Sequence, residues 1–292
     1  MPKPRRMEGV PKIRAQSSKL EKSEKERHIL MSEFPTLRLE ALVSGSENVD
    51  HQEYELERRF KSRQKLKDKQ LRRLSKGNHI RIQQAYVDVH TASGEKFEVR
   101  LRRTYERDGT VLRRITYKQK IKEDGVERSG RIERQIQIGQ SDPQRVAEFE
   151  RLFALHKWAV LEKTRYYIFP EDTDGKQIVL PNGSIPEIHY DVHTEPRAEK
   201  SKGYDLEDYR RIEAEIHGDP AQKDALEADW KYLGKKRNRK KLGLPQFIGK
   251  DVTASPEYKS KPLAEFGSPE KARIGIAKKQ DEKRKREADE KG

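Results

Sequence analysis

Eight segments of the chain alternate polar and apolar residues with a period of two, and this alternation constrains the fold most. Segments of this kind form half-buried strands. Short turn sequences, Ser93-Gly94, Asp108-Gly109 and Asp124-Gly125, separate some of them. Because short turns join antiparallel neighbours, we predict closure into a barrel or a curved sheet. The segments are 54–60, 80–91, 96–104, 110–122, 128–138, 161–169, 185–193 and 210–218.

Helices are predicted between and after these strands. One begins at Ser141-Asp142-Pro143, where a capping residue precedes a proline at the first helical position. Another begins at Asp219-Pro220 and ends at Gly234. Residues 61–76 are predicted to form a third, very basic helix, and residues 235–241 an exposed loop. The apolar stripes are Val146, Phe149, Leu152 and Phe153 in the first helix and Leu226, Trp230 and Leu233 in the second.

Composition divides the chain into three regions. Charged residues make up 39% and hydrophobic residues 32% of the chain, so part of it is expected to be solvated. We predict a basic, largely disordered tail over residues 1–50, within which residues 34–43 can dock locally. A single folded region is expected over residues 51–266. Residues 267–292 are expected to form a charged helix or tail.

The positive charge belongs to the folded region rather than to the tails. The net charge is +15, of which residues 1–50 carry +2 and residues 267–292 carry +3, leaving +10 on the middle region. A basic folded region favours an anionic partner such as phosphate, polyphosphate or nucleic acid. The chain has no cysteine, which excludes disulfides and thiolate zinc sites. It has no apolar run of membrane-spanning length and no signal-peptide pattern, so we expect a cytoplasmic protein without a membrane partner.

Two pairs of carboxylates lie on predicted strands. Side chains two residues apart share one face of a strand, so Glu55 and Glu57 point the same way, and Glu213 and Glu215 do likewise. Hard cations such as Mg²⁺ and Mn²⁺ prefer clustered oxygen ligands. Either pair alone is also typical of an ordinary solvent-facing strand.

Cations repeat with the same period on four other strands. A phosphate chain carries charge along its whole length and suits a continuous positive lining, in which arginine supplies forked donors and lysine a point charge. The opposite faces carry apolar residues such as Val99, Leu101 and Ile115, which fit a core. The shared faces carry Arg100 and Arg102; Arg114, Thr116, Lys118 and Lys120; Arg131 and Glu133; and Lys163 and Arg165.

The order of these motifs resembles the CYTH family, the triphosphate tunnel metalloenzymes, over residues 51–266. Its first-strand motif, Glu-x-Glu-x-Lys, matches Glu55-Leu56-Glu57-Arg58-Arg59, with Arg59 in place of the lysine. The later matches are Gln83-Gln84-Ala85-Tyr86, Arg100-Leu101-Arg102, Thr116-Tyr117-Lys118, Arg131-Ile132-Glu133, Lys163-Thr164-Arg165-Tyr166, Asp191, Glu213-Ala214-Glu215, Gly249-Lys250-Asp251-Val252-Thr253 and Tyr258.

The resemblance implies an α+β, mainly antiparallel β fold: an eight-stranded barrel tunnel with flanking helices. It implies that Mg²⁺ or Mn²⁺ is held by Glu55, Glu57, Asp191, Glu213 and Glu215. It further implies that a triphosphate is bound by Arg59, Arg100, Arg102, Lys118, Arg131, Lys163 and Arg165. Glu57 and Glu215 are the candidate catalytic residues, because a carboxylate can position the attacking water. We expect His189 to be a plain surface histidine and Glu133 to orient a neighbouring arginine.

The resemblance implies metal-dependent hydrolysis of a triphosphate, with inorganic tripolyphosphate the first choice of substrate. A class IV adenylyl cyclase, or a hydrolase of nucleoside or thiamine triphosphates, shares these motifs. A hypothesis of another class is a non-catalytic module that binds polyphosphate or RNA, suggested by the basic residues 61–76 and 235–241. Nucleic acid is therefore a secondary candidate partner.

Overall fold

The architecture is taken from a computed structural model of the chain. The structure describes residues 28–46, 50–62, 66–123, 126–156, 160–172, 174–194, 210–241, 248–253 and 269–289. The predicted tail residues 1–27 and the motif residue Tyr258 lie outside these ranges. The boundaries proposed at residues 51 and 266 stay predictions.

A closed antiparallel barrel of eight strands forms the centre of the fold, which confirms the predicted fold class. Each strand hydrogen-bonds to its neighbours in the order β3-β4-β5-β6-β2-β9-β8-β7, and β7 also pairs with β3. All eight predicted segments are strands. Their bounds are β2 (His51–Ser62), β3 (His79–His90), β4 (Lys96–Tyr105), β5 (Val111–Glu123), β6 (Val126–Ile138), β7 (Leu161–Ile168), β8 (Glu187–Thr194) and β9 (Arg210–Gly218).

Two short strands extend the sheet beyond the barrel. β1 (Ile29–Leu30) runs parallel to the end of β3, and β10 (Ile248–Asp251) runs antiparallel to the end of β2. The barrel itself is closed by an antiparallel pairing in which Ile82 of β3 lies opposite Lys163 of β7. This closing pair joins strands that are distant in sequence, whereas the turns between β3, β4, β5 and β6 are short.

The apolar core lies outside the barrel, between its outer face and the helices. One cluster packs Leu56, Ile212 and Ile216 against Leu226 and Trp230. The other cluster packs outward residues of β3 to β6 against the helix that follows β6 and against residues 29–42. Since period-two alternation places the apolar residues outward, the charged residues at the positions between them, such as Glu55, Glu57, Arg100 and Arg102, point into the barrel.

The helices are α1 (Leu39–Ser44), α2 (Asp68–Leu74), α3 (Pro143–Ala154), α4 (Lys223–Gly234), α5 (Lys236–Lys241) and α6 (Pro269–Asp289). α3 begins as predicted, and the Asp142 side chain accepts a hydrogen bond from the Arg145 backbone amide at 3.0 Å. α4 follows a 3₁₀ turn at Pro220–Gln222 and ends at Gly234, also as predicted.

Two local predictions were wrong. Within the described part of residues 61–76, the helix is α2, whereas Lys61 and Ser62 belong to β2 through its pairing with β9 and β10. The loop predicted over residues 235–241 contains α5. Lysine and arginine have good helix propensity, and no proline or glycine interrupts this run, so charge alone did not indicate a loop.

The segment before the barrel packs onto its outer surface. Phe34, Leu37, Leu39 and Leu42 are all buried in the second core cluster. The predicted docking stretch 34–43 lies within this segment. At the other end of the chain, α6 is highly charged and mostly exposed, as expected from its sequence. Among the described helices, none is both long enough and apolar enough to cross a membrane.

Candidate active site

The inward faces of the barrel strands line a cavity of about 640 Å³. Alternation brings residues from β2, β4, β5, β6, β7 and β9 to this one space. Asp191 is not among the lining residues. It is fully buried, and its carboxylate contacts Lys163 and Arg165, which do line the cavity. The predicted site residues that line the cavity are Glu55, Glu57, Arg59, Arg100, Arg102, Lys118, Arg131, Lys163, Arg165, Glu213 and Glu215.

The acidic wall of the cavity is defined here as the inward carboxylates of β2 and β9: Glu53, Glu55, Glu57, Glu213 and Glu215. β2 and β9 are antiparallel neighbours, with Glu57 directly opposite Glu215. The two carboxylate pairs read from the sequence are therefore a single group of acids. Cross-strand partners of this kind have closely spaced side chains.

Cations of the chain itself pair with the acidic wall. Lys118 Nζ lies 2.6 Å from Glu55 Oε1. Arg131 donates to Glu57 Oε2 at 2.8 Å, and Arg59 also forms an ion pair with Glu57. Arg59, which replaces the lysine of the family motif, thus contacts a carboxylate of its own strand.

These contacts act on the acids in opposite directions. Burial raises the pKa of Glu55 to about 7, although Lys118 opposes the shift. Burial also acts to raise the pKa of Glu57, but Arg59 and Arg131 outweigh it and hold that pKa well below its usual range. For Glu215, burial is outweighed by His189, and the pKa again lies well below its usual range.

The basic wall is defined here as the inward cations of β4 and β7: Arg100, Arg102, Lys163 and Arg165. These strands flank β3, and in the circular strand order β3 lies across the barrel from β2. Lys163 and Arg165 are buried, and both form ion pairs with Asp191. Asp191 therefore supports two of the predicted phosphate-binding cations.

Arg102 differs from the other members of the basic wall. It is 9% exposed, and among the described residues no carboxylate lies within ion-pair distance of it; its Nε, like that of Arg100, has no hydrogen-bond partner. Burial, together with Arg100 and Arg165, lowers the pKa of Arg102 to about 10. A buried cation surrounded by cations is a favourable position for a bound anion.

Glu133 orients cations of the lining, as predicted. It accepts from Arg100 at 3.0 Å and forms an ion pair with Lys118 at 2.5 Å. Burial acts to raise its pKa, but Lys118 and Arg100 outweigh this and hold the pKa below its usual range. Two motif residues on β3, Gln84 and Tyr86, also line the cavity and are hydrogen-bonded to each other at 2.6 Å.

Two histidines belong to the cavity, and sequence reasoning did not assign them to it. The prediction that His189 is a surface residue was wrong: it is 3% exposed, and its Nε2 lies 2.5 Å from Glu187 Oε1. His217 Nε2 lies 3.0 Å from Glu215 Oε2, and its Nδ1 lies 3.2 Å from Glu53 Oε1. The signal for His217 and Glu53 was available, because each extends a Glu-x-Glu face by two residues.

Oxygen atoms of Glu55, Glu57 and Glu215 all lie within 4.8 Å of one another. An ion with ligand distances of about 2.0–2.6 Å keeps its ligand atoms within about twice that distance. The three carboxylates thus fit an oxygen-binding divalent cation such as Mg²⁺ or Mn²⁺. Among the described residues, Asp191 is in neither of the two groups of potential metal ligands, and its oxygens contact Lys163 and Arg165.

Comparisons with known proteins do not show a family for this chain. The chain matches no protein-family model and no curated protein. Its structure is similar to that of HpAC1 from Hippeastrum, a candidate adenylyl cyclase described as having a dominant triphosphatase activity. The TM-score is 0.30 and the identity 13%, over 70% of this chain and 95% of that one. Function is therefore argued from the cavity itself.

Proposed function

We propose that the protein hydrolyses a triphosphate in the barrel cavity with the help of a divalent metal ion. The observation that carries this proposal is the placement of buried cations in the same cavity as the Glu55–Glu57–Glu215 group. Among these cations, Arg102 has no carboxylate partner within the described part of the chain. A metal-bound triphosphate carries negative phosphate oxygens, which suit the cations, and a positive metal ion, which suits the carboxylates. The ordered resemblance of the motifs to the triphosphate tunnel metalloenzymes points to the same chemistry.

The residues of the cavity have different roles in the proposed reaction. Arg100, Arg102, Lys163 and Arg165 bind phosphate oxygens and neutralise charge that builds on the transferring phosphoryl group. Asp191 holds Lys163 and Arg165 in place, and Glu133 holds Arg100, through the ion pairs described above. Lys118 and Arg131, which contact the acidic wall, turn to the phosphate chain when it enters.

Glu55, Glu57 and Glu215 are the residues that hold the divalent ion in this proposal. When bound, such an ion polarises phosphoryl oxygens and lowers the pKa of water. Glu57 and Glu215 are ionised at neutral pH, so either carboxylate can orient the attacking water and accept its proton.

The direct test is phosphate release from tripolyphosphate, ATP and thiamine triphosphate, each with Mg²⁺ or Mn²⁺. We expect release from at least one substrate, and its loss in EDTA. Absence of release from all three, together with absence of cyclic AMP from ATP, would contradict the proposal. ATP that yields cyclic AMP instead of phosphate would favour the cyclase alternative.

A second cavity favours an organic triphosphate as an alternative to inorganic tripolyphosphate. This cavity, of about 820 Å³, adjoins the first, because Glu187 and His217 line both. Phe169 and Ile185 line it and are 40% and 44% exposed, so they offer apolar surface to a base or a ring. Replacing Phe169 with Ala is expected to raise the KM for the organic substrate and to leave hydrolysis of tripolyphosphate unchanged. An equal effect on both substrates would contradict this candidate.

A further inference from the structure

His189 lies on β8, next to the Glu213–Glu215 carboxylate pair of β9. In the pairing of β8 with β9, His189 lies directly opposite Glu213, and Glu187 lies opposite Glu215. His189, Glu213 and Glu215 each offer an atom of metal-ligand type within 4.8 Å of the others, and all three are buried. This group shares Glu215 with the Glu55–Glu57–Glu215 group but adds a nitrogen ligand.

The imidazole of His189 is held with Nδ1 towards Glu215. Its Nε2 lies 2.5 Å from the Glu187 carboxylate, and its ring packs edge-on against Tyr167 at a centroid distance of 5.0 Å. A carboxylate on the far nitrogen is the usual means by which proteins orient a metal-binding histidine.

The buried Nδ1 atom makes no hydrogen bond, although it lies 3.1 Å from Glu215 Oε1. Two ligand atoms at right angles on one ion, with bonds of about 2.1 Å, are separated by about 3.0 Å. The spacing therefore fits two ligands of the same metal ion.

We propose that His189 Nδ1, Glu213 and Glu215 form a second metal site, which selects a divalent transition metal such as Mn²⁺ or Zn²⁺ over Mg²⁺. Imidazole suits transition metals, whereas Mg²⁺ is bound mainly by oxygen ligands. Glu215 then belongs to both sites, as a bridging carboxylate does in two-metal centres. The site does not depend on hydrolysis, since it is defined by metal binding alone.

The test uses the full-length protein without substrate, so that failure of the proposed hydrolysis and failure of this site are separate results. Mn²⁺ is titrated by equilibrium dialysis, and nitrogen coupling to bound Mn²⁺ is measured by electron spin echo envelope modulation. We expect about two ions per chain and an imidazole nitrogen coupling in the wild-type protein. Saturation with Mg²⁺ is expected to leave the nitrogen-coupled Mn²⁺ in place.

His189→Gln is expected to abolish the nitrogen coupling and to weaken one Mn²⁺ site by about tenfold or more. His217→Gln is the matched control, because His217 also contacts Glu215 but belongs to neither of the two groups of potential metal ligands. The nitrogen coupling to Mn²⁺ should persist in the His217→Gln variant. Nitrogen coupling that is absent from wild-type protein, or that survives His189→Gln, overturns the proposal. The wild-type measurement decides the question even if the variant does not fold.

Discussion

The two walls of the cavity are built by the same strand alternation, but their charges are balanced differently. On the acidic wall, Glu55, Glu57 and Glu215 each lie within ion-pair distance of a cation or an imidazole. On the basic wall, Arg102 has no carboxylate within that distance among the described residues. An anion can therefore bind Arg102 without breaking an ion pair of the described residues, whereas a metal ion at the acidic wall must compete with side chains of the protein.

This difference indicates that anion and metal binding favour each other. In the proposed function, a phosphate chain that attracts Lys118 and Arg131 would remove one cation from Glu55 and one from Glu57, which keeps its contact with Arg59. Such coupling is reciprocal, so we expect the ion to strengthen binding of the proposed triphosphate by the same factor.

The largest effect is expected at the acidic wall. Glu215→Gln removes a carboxylate shared by both groups of metal-ligand type, and it should lower kcat/KM for the triphosphate by about a thousandfold. Steady-state phosphate release measures this loss. Glu162→Gln is the control, because Glu162 pairs with Arg81 outside the cavity and should retain activity. Full activity in Glu215→Gln would contradict the assignment of the acidic wall.

The support of the basic wall is tested by Asp191→Asn. Asp191 and Lys163 are 0% and 1% exposed, so the substitution leaves buried cations without their partner. We expect a loss of about 3–5 kcal/mol in the free energy of unfolding, measured by urea denaturation.

The control for Asp191→Asn is Asp88→Asn, which makes the same change in a more exposed ion pair. Asp88 pairs with Lys96, whose side chain is 53% exposed. That change should cost at most about 1 kcal/mol. If Asp191→Asn keeps its stability but loses metal binding, Asp191 is a metal ligand, as the family resemblance implied, and the support role is wrong.

Arg102→Gln should weaken the basic wall without destabilising the protein. Because Arg102 has no carboxylate partner and lies beside other cations, loss of its charge breaks no ion pair and relieves repulsion. We expect a KM for the triphosphate about 10- to 100-fold higher and an unchanged or higher melting temperature.

The control for Arg102 is its neighbour on the opposite face. Arg103 pairs with Glu150 of α3 and stacks on Phe153, outside the barrel. Arg103→Gln should lower the melting temperature and leave the KM unchanged. A higher KM in Arg103→Gln, together with a lower melting temperature in Arg102→Gln, would show that the two faces of β4 were assigned wrongly.

The smallest effect concerns pH. Burial opposes the charging of His217, but hydrogen bonds to Glu215 and Glu53 raise its pKa to about 11. A raised pKa stabilises the folded protein most below the unfolded value of about 6.5, and this stabilisation is lost as pH rises towards 11.

The free energy of unfolding of wild-type protein should therefore exceed that of His217→Gln by more at pH 6 than at pH 9, on the order of 1 kcal/mol. Urea denaturation of metal-free protein at both pH values measures this change. A difference that does not vary with pH would contradict the ionised state of His217.

Most of the fold was predictable because alternation is a local signal. Period two located all eight strands, and it also placed Arg102 and Glu215 on inward faces. The register between β8 and β9 was not predictable, because no single strand contains it. His189 was therefore assigned to the surface, although pairing places it opposite Glu213. The extension of β2 to Ser62 likewise depends on partners distant in sequence.

The pairing of β3 with β7 makes the anion site the product of a long-range contact. Lys163 and Arg165 lie on β7 and reach Arg102 of β4 only when β7 meets β3. The acidic wall, by contrast, needs only the contact of β2 with β9. An opened barrel would thus keep its carboxylates together but divide its cations. A polyphosphate ligand should bind the closed form alone, and by mass action it should hold the two edges of the sheet together.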